Sequence, residues 1–212
     1  METISYFLRG FGEHEDSMGN KGIISAGELQ WMSAGKGVMH QEMPVSSPEG
    51  LQGFQFWVNL PSQEKLKEPS YQYIKQGEMK SVYENGSEVK VIAGVYNDIV
   101  GPIDKSDRGI TMLHVLLEAH KEIVLKREPD KQGFIFLFEG SGTLNGDSIN
   151  VITAYTLSDG DIRIKSGGEA LQFIFAEGVP IKEPIAWHGP IVMNAKKELM
   201  DTFNDIEKGT FV

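Results

Sequence analysis

The apolar positions of this chain fall in short runs. Residues 4–8, 53–60, 88–93, 133–138 and 171–176 are rich in Val, Ile, Phe and Tyr, and several alternate apolar with polar positions. That period of two belongs to a strand with one buried face. Twenty-four glycines and nine prolines break the runs at short intervals. Many short strands separated by turns predict an all-β protein made of small barrels. Helical spacing is clear only at residues 196–208, where Leu199, Phe203 and Ile206 share one face. Asn194 is the expected N-cap of this helix and Gly209 its stop. Residues 63–68 read as one helical turn closed off by Pro69.

The runs recur. Ser25-Ala26-Gly27-Glu28-Leu29 followed by Ser33-Ala34-Gly35 matches Ser158-Asp159-Gly160-Asp161-Ile162 followed by Ser166-Gly167-Gly168 at one constant offset. Upstream, residues 6–12 match residues 136–142 at a slightly shorter offset. Two strand–Gly–strand blocks in the same order predict a duplicated barrel. Chance alignment of glycines is the alternative. The boundary is expected near Gly101-Pro102, where the polar stretch from Asp104 to Arg108 begins. The expected domains are residues 1–101, and residues 102–212 with the C-terminal helix.

Composition narrows the function. The chain carries 30 acidic against 20 basic side chains, a net charge of −10. Such a surface repels phosphate backbones and anionic membranes, which argues against nucleic-acid and membrane partners. There is no cysteine, so any metal must be held by His and carboxylate. No apolar run is long enough to span a bilayer, and no signal peptide is evident. A soluble, cytoplasmic protein is expected.

One pair of residues suggests chemistry. In the strand after Gly37, His40 and Glu42 lie two apart and so project from the same face. An imidazole beside a carboxylate on an inward face suits a divalent first-row metal such as Fe(II). Spacing alone leaves a metal-free His–Glu hydrogen bond as the alternative. The offset of the repeat carries His40 and Glu42 onto Phe173 and Phe175. The second barrel is therefore expected to be packed, dry and metal-free. His14, within Gly12-Glu13-His14-Glu15-Asp16, reads as part of a solvated acidic loop or a residue at the barrel mouth. His114 and His120 read as surface or packing residues, and His188 as the anchor of a turn before the final helix.

The block Gly27-Glu28-Leu29-Gln30-Trp31-Met32-Ser33-Ala34-Gly35, followed by His40-Gln41-Glu42-Met43-Pro44, closely resembles the pirin family of the cupin superfamily. So does Glu183-Pro184-Ile185-Ala186-Trp187-His188-Gly189-Pro190 near the C-terminus. The resemblance covers essentially the whole chain and implies a bicupin fold. It implies a mononuclear iron site in the first barrel and none in the second. The family uses three His and one Glu, and His40 and Glu42 match its third histidine and its glutamate. Its other two histidines lie in a His-Pro-His-Arg-Gly motif followed by Phe-Glu-Thr. Here the sequence opens Met1-Glu2-Thr3, so those two ligands would fall before residue 1. The site is expected to be incomplete in this chain, with iron held weakly.

Two functions follow from the resemblance. The first is a quercetin 2,3-dioxygenase-type oxidoreductase acting on a flat, flavonol-like substrate. Glu42 would then be both ligand and catalytic base, and His40 a ligand. The second is a non-catalytic, iron-dependent regulator that contacts transcription factors or metabolic enzymes.

Overall fold

The computed structural model describes residues 1–103 and 108–212. The expected polar spacer lies, from residue 104 to residue 107, outside the described residues. The chain divides into two compact units, Met1–Gln76 with Ile181–Val212, and Gly77–Pro180. The first holds strands β1 (Glu2–Arg9), β2 (Phe11–Asp16), β3 (Lys21–Ser25), β4 (Leu29–Ser33), β5 (His40–Val45), β6 (Gln52–Val58) and β7 (Ser70–Ile74). The second holds β8 (Ser81–Glu84), β9 (Ser87–Ala93), β10 (Val95–Tyr96), β11 (Ile99–Val100), β12 (Thr111–Leu117) and β13 (Glu122–Leu125). It continues through β14 (Gln132–Glu139), β15 (Gly142–Leu144), β16 (Asp147–Ile149), β17 (Thr153–Thr156), β18 (Ile162–Ser166) and β19 (Leu171–Gly178). The chain then returns to the first unit with the hairpin β20 (Ala186–His188) and β21 (Ile191–Met193), and ends in helix α1 (Lys196–Lys208). No described helix is long and apolar enough to cross a membrane.

The architecture is all-β with one short helix, as the alternation predicted, but the boundary is not at residue 101. Strands β8 and β9 extend the large sheet of the second unit, in the order β17-β14-β19-β12-β9-β8. Residues after 180 belong to the first unit. Each half of the sequence thus lends a segment to the other half's fold. Helix α1 spans the predicted residues and stops at Gly209, whose φ of 69° is left-handed. Its N-cap is Ala195 rather than Asn194. The Glu198 carboxylate accepts the backbone N–H groups of Ala195 at 2.7 Å and Asn194 at 3.0 Å. The Asn194 amide instead donates to Glu183 and Pro184. Leu199 is buried, and Phe203 meets the ring of His188 edge-on at 5.5 Å.

The duplication is real, but its register differs from the one expected. Strands β1–β6 recur in order as β14–β19. β1 pairs with β4 and β6, as β14 pairs with β17 and β19. β2 pairs with β3 and β5, as β15 pairs with β16 and β18. A bulge interrupts the ladder at Phe7/Arg9 and again at Leu137/Glu139. Gly10 and Gly140 follow these bulges with φ of 78° and 82°. A Cβ there would lie 2.2 Å from the Gly50 carbonyl oxygen and 2.1 Å from that of Ala170. Only glycine fits either position.

Aligned on these glycines, β5 corresponds to β18. Gly12 faces Pro44 as Gly142 faces Ser166. The counterparts of His40 and Glu42 are therefore Ile162 and Ile164, not Phe173 and Phe175. The Ser-x-Gly blocks that set the expected offset are similar turns before strands that are not equivalent. Phe173 and Phe175 are nevertheless buried in the second unit's core, together with Ile162, Ile164 and Ile135.

Two predictions test this packing. Phe173 is fully buried, so Phe173→Ala should cost about 3–5 kcal/mol in chemical denaturation. A neutral result would mean that the ring is not in the core. His114, on β12, is pushed down to about 4, chiefly by burial, against a hydrogen bond with Gln172 that works the other way. Its folded pKa lies below its unfolded value, so the unfolded chain binds the extra proton. The stability this histidine contributes is present above its ordinary value of 6.5 and is lost as pH falls to about 4. Urea midpoints measured across that window should fall, and His114→Gln should flatten that part of the profile.

Candidate metal centre

The inner face of the first unit is polar. β2 alternates outward Glu13 and Glu15 with inward Gly12, His14 and Asp16, and the inward three are buried. β5 runs beside it, with His14 opposite Glu42 and Asp16 opposite His40. This pairing gathers His14, His40 and Glu42, with one ligand atom of each within 4.8 Å of the others. His40 and Glu42 share one face, as their spacing predicted. His14 was not expected among them. It is fully buried, not part of a solvated loop. Its strand alternates, but polar residues occupy both faces, so the pattern of hydrophobicity alone does not reveal it.

Glu42 organises the surrounding bonds. The Ser5 hydroxyl donates to its two oxygens at 2.7 and 3.0 Å. The amides of Gln30 and Gln55 donate to it at 3.2 and 2.9 Å. The Gln30 amide nitrogen also lies 3.1 Å from His14 Nδ1. An amide donor requires a lone pair on that nitrogen. The His14 proton therefore sits on Nε2 and is donated to Asp16 at 3.1 Å. Asp16 is itself clamped by the backbone N–H groups of Met18 and Asn20 and by the Asn20 side chain. Burial raises the Asp16 carboxyl, but the hydrogen bonds from Asn20, His14 and the Asn20 and Met18 backbone outweigh it, so the group lies below the ordinary carboxylate value. Tyr71 stacks on His14 with ring centroids 5.1 Å apart. Burial, then the charges of Asp16 and Glu42, push its hydroxyl up.

These residues suit a divalent cation. Two imidazoles and one carboxylate converge, the donor set of open mononuclear sites. An acid orients one imidazole from behind, the usual outer partner of a ligating histidine. The donor hydrogens of Ser5, Gln30 and Gln55 all aim at Glu42 and offer it the positive charge a metal would offer. Gln30 Oε1 is buried and has no partner among the described residues. In the second unit the counterparts of Ser5, His14, Gln30, His40, Glu42 and Gln55 are Ile135, Leu144, Tyr155, Ile162, Ile164 and Phe175. Every donor position there carries an apolar or aromatic side chain.

Comparison with known proteins identifies relatives of the whole chain. The family model described as Pirin matches residues 1–58, and that of the Pirin C-terminal cupin domain matches residues 112–212. A pirin-like protein of Caulobacter vibrioides is 34% identical over 213 residues, covering 99% of this chain and 77% of its own. The crystal structure of a quercetin 2,3-dioxygenase from Acinetobacter baumannii superimposes with a TM-score of 0.92 at 32% identity, covering 99% of this chain and 75% of that one. The bacterial pirin YhhW of Escherichia coli, solved in complex with nickel(II), is 25% identical with a TM-score of 0.66, covering 85% of this chain and 72% of its own.

The network around Glu42 yields a test in protein stripped of metal. Glu42→Ala leaves the fully buried Gln30 amide without one of its acceptors. An unmatched buried donor costs about 1–3 kcal/mol, and urea denaturation after chelation should show a loss of that order. An unchanged midpoint would mean that the network does not form.

Proposed function

The chain belongs to the pirin family of the cupin superfamily, and on that footing we propose that its first unit is a mononuclear iron(II) centre serving a quercetin 2,3-dioxygenase-type reaction. The observation that carries this reading is the convergence of His14, His40 and Glu42 on the inner face of one unit, with the equivalent face of the other filled by hydrocarbon. The dioxygenase named in Acinetobacter baumannii, alike over nearly the whole chain, supports the choice of reaction.

His40 and Glu42 on β5 would hold the metal, with His14 on β2 as the third donor. When bound, the metal supplies Lewis acidity toward an enolic oxygen and a centre for dioxygen chemistry. The rest falls to side chains of this protein. Asp16 fixes the His14 proton on Nε2 and so turns the Nδ1 lone pair inward. Ser5 and Gln55 hold Glu42 Oε2. That oxygen would take the acidic hydroxyl proton of a flavonol, with Glu42 as the general base.

The test is metal analysis together with oxygen uptake. Protein loaded with Fe(II) under anaerobic conditions and then dialysed should retain more metal than His40→Ala or Glu42→Ala treated alike. Quercetin-dependent oxygen consumption should fall with the metal in both variants. Equal metal retention in all three proteins would remove the ligand assignment. Retained metal with no quercetin-dependent uptake would remove the dioxygenase reading alone.

A further inference from the structure

Beside the candidate metal centre the first unit has an open cavity of about 340 Å³, within the size range of small-molecule sites. His40 and Gln55 belong to both. Its walls are chiefly apolar and include Met32, Trp57, Met193, Ile206 and Phe211. Besides His40 and Gln55, the polar side chains among them are Thr3, Lys36, Lys65 and Thr202, and Lys36 is paired with Glu68 at 2.8 Å. Thr3 is buried, and its hydroxyl has no hydrogen-bond partner among the described residues. Lys65 is only 4% exposed and lies in the cavity wall.

Among the described residues Lys65 has one hydrogen-bond acceptor. Its ammonium donates to Asn59 Oδ1 at 2.6 Å. That is one neutral acceptor for a group with three N–H donors. The acidic charges that act on it are those of Glu183 and Glu198, and both carboxylates are engaged elsewhere. Glu183 accepts the Ser62 backbone N–H and the Asn194 amide. Glu198 caps the helix. Burial, partly offset by those two carboxylates, lowers the Lys65 pKa. A buried cation whose burial is only partly offset is costly, and an anionic ligand would lower that cost.

We propose that this cavity binds a planar, largely apolar ligand carrying an anionic oxygen, a phenolate or carboxylate, and that Lys65 receives that charge. This deepens the reading of the site as one for an aromatic substrate, and rests on it for the ligand being aromatic. Trp57 and Phe211 offer faces for a flat ring. The Thr3 hydroxyl offers a further hydrogen bond to a polar substituent.

The test uses the full chain stripped of metal by a chelator, so that no carboxylate can be recognised by a bound ion. Titration calorimetry compares 2-naphthoate with its neutral counterpart 2-naphthamide. The parent protein should favour the acid by roughly tenfold, the scale of one hydrogen bond to a charged group. Lys65→Met should abolish that preference and leave naphthamide affinity nearly unchanged, while Lys65→Arg should keep it. Met193→Trp, which fills the cavity, should weaken both ligands. Equal affinity of the parent for acid and amide overturns the proposal without any variant, so a misfolded Lys65→Met does not shelter it. An acid preference that survives Lys65→Met, or naphthoate binding that survives Met193→Trp, also overturns it. Anion preference in a protein without quercetin-dependent oxygen uptake would sink the dioxygenase reading and leave Lys65 its role. The converse result would do the opposite.

Discussion

A carboxylate aimed at the interior of a barrel must be compensated, and much of the first unit is arranged around that need. Glu42 cannot be removed from water without donors. Ser5, Gln30 and Gln55 supply them from three strands of one sheet, and His14 approaches from the strand beside it. Gln30 binds the His14 ring as well, and Asp16 holds that ring from its other nitrogen. The pairing of β2 with β5 brings the histidine and the carboxylate face to face. A slip of one residue in that ladder would send His14 outward and Glu13 inward.

The second unit shows the same frame without that demand. Its six equivalent strands keep the pairings, the bulge and the left-handed glycine. The inward positions exchange hydroxyl, amide, imidazole and carboxylate for Ile, Leu, Tyr and Phe. The frame therefore does not depend on what fills it. Filled with hydrocarbon, the barrel gains stability from burial and dispersion. Filled with polar groups, it gives up part of that gain for a site able to take a cation. A division of labour between two copies follows from the contents of one face.

Much of this was legible in the sequence, for local reasons. Runs of β-branched and aromatic residues marked β1, β6, β9, β14 and β19. A three-to-four spacing and one glycine marked the helix and its end. The spacing of His40 and Glu42 placed them on one face. What escaped notice depends on pairing between distant residues. His14 sits in a run of charged neighbours whose alternation carries no hydrophobic signal. Its role appears only once β2 lies against β5. The counterparts of His40 and Glu42 were misplaced because turn motifs repeat more readily than the strands they introduce. The boundary was misplaced because a strand's choice of sheet is not written in its own residues. Asn194 has the chemistry of a cap, but Glu198 already satisfies the helix start, which frees the Asn194 amide to reach Glu183.

The exchange of segments between the two units has a consequence in time. A ribosome makes strands β1–β7 before the uninterrupted run of Gly77–Pro180, and the hairpin and helix that return to the first unit only after it. The second unit can close as soon as its own residues emerge. The first must wait, open along the side that Met193, Ile206 and Phe211 will later cover. The cavity beside the donors is thus closed only after the residues of the second unit have been made. A nascent chain presents its ring of donors to the surroundings before the chamber beside them has walls.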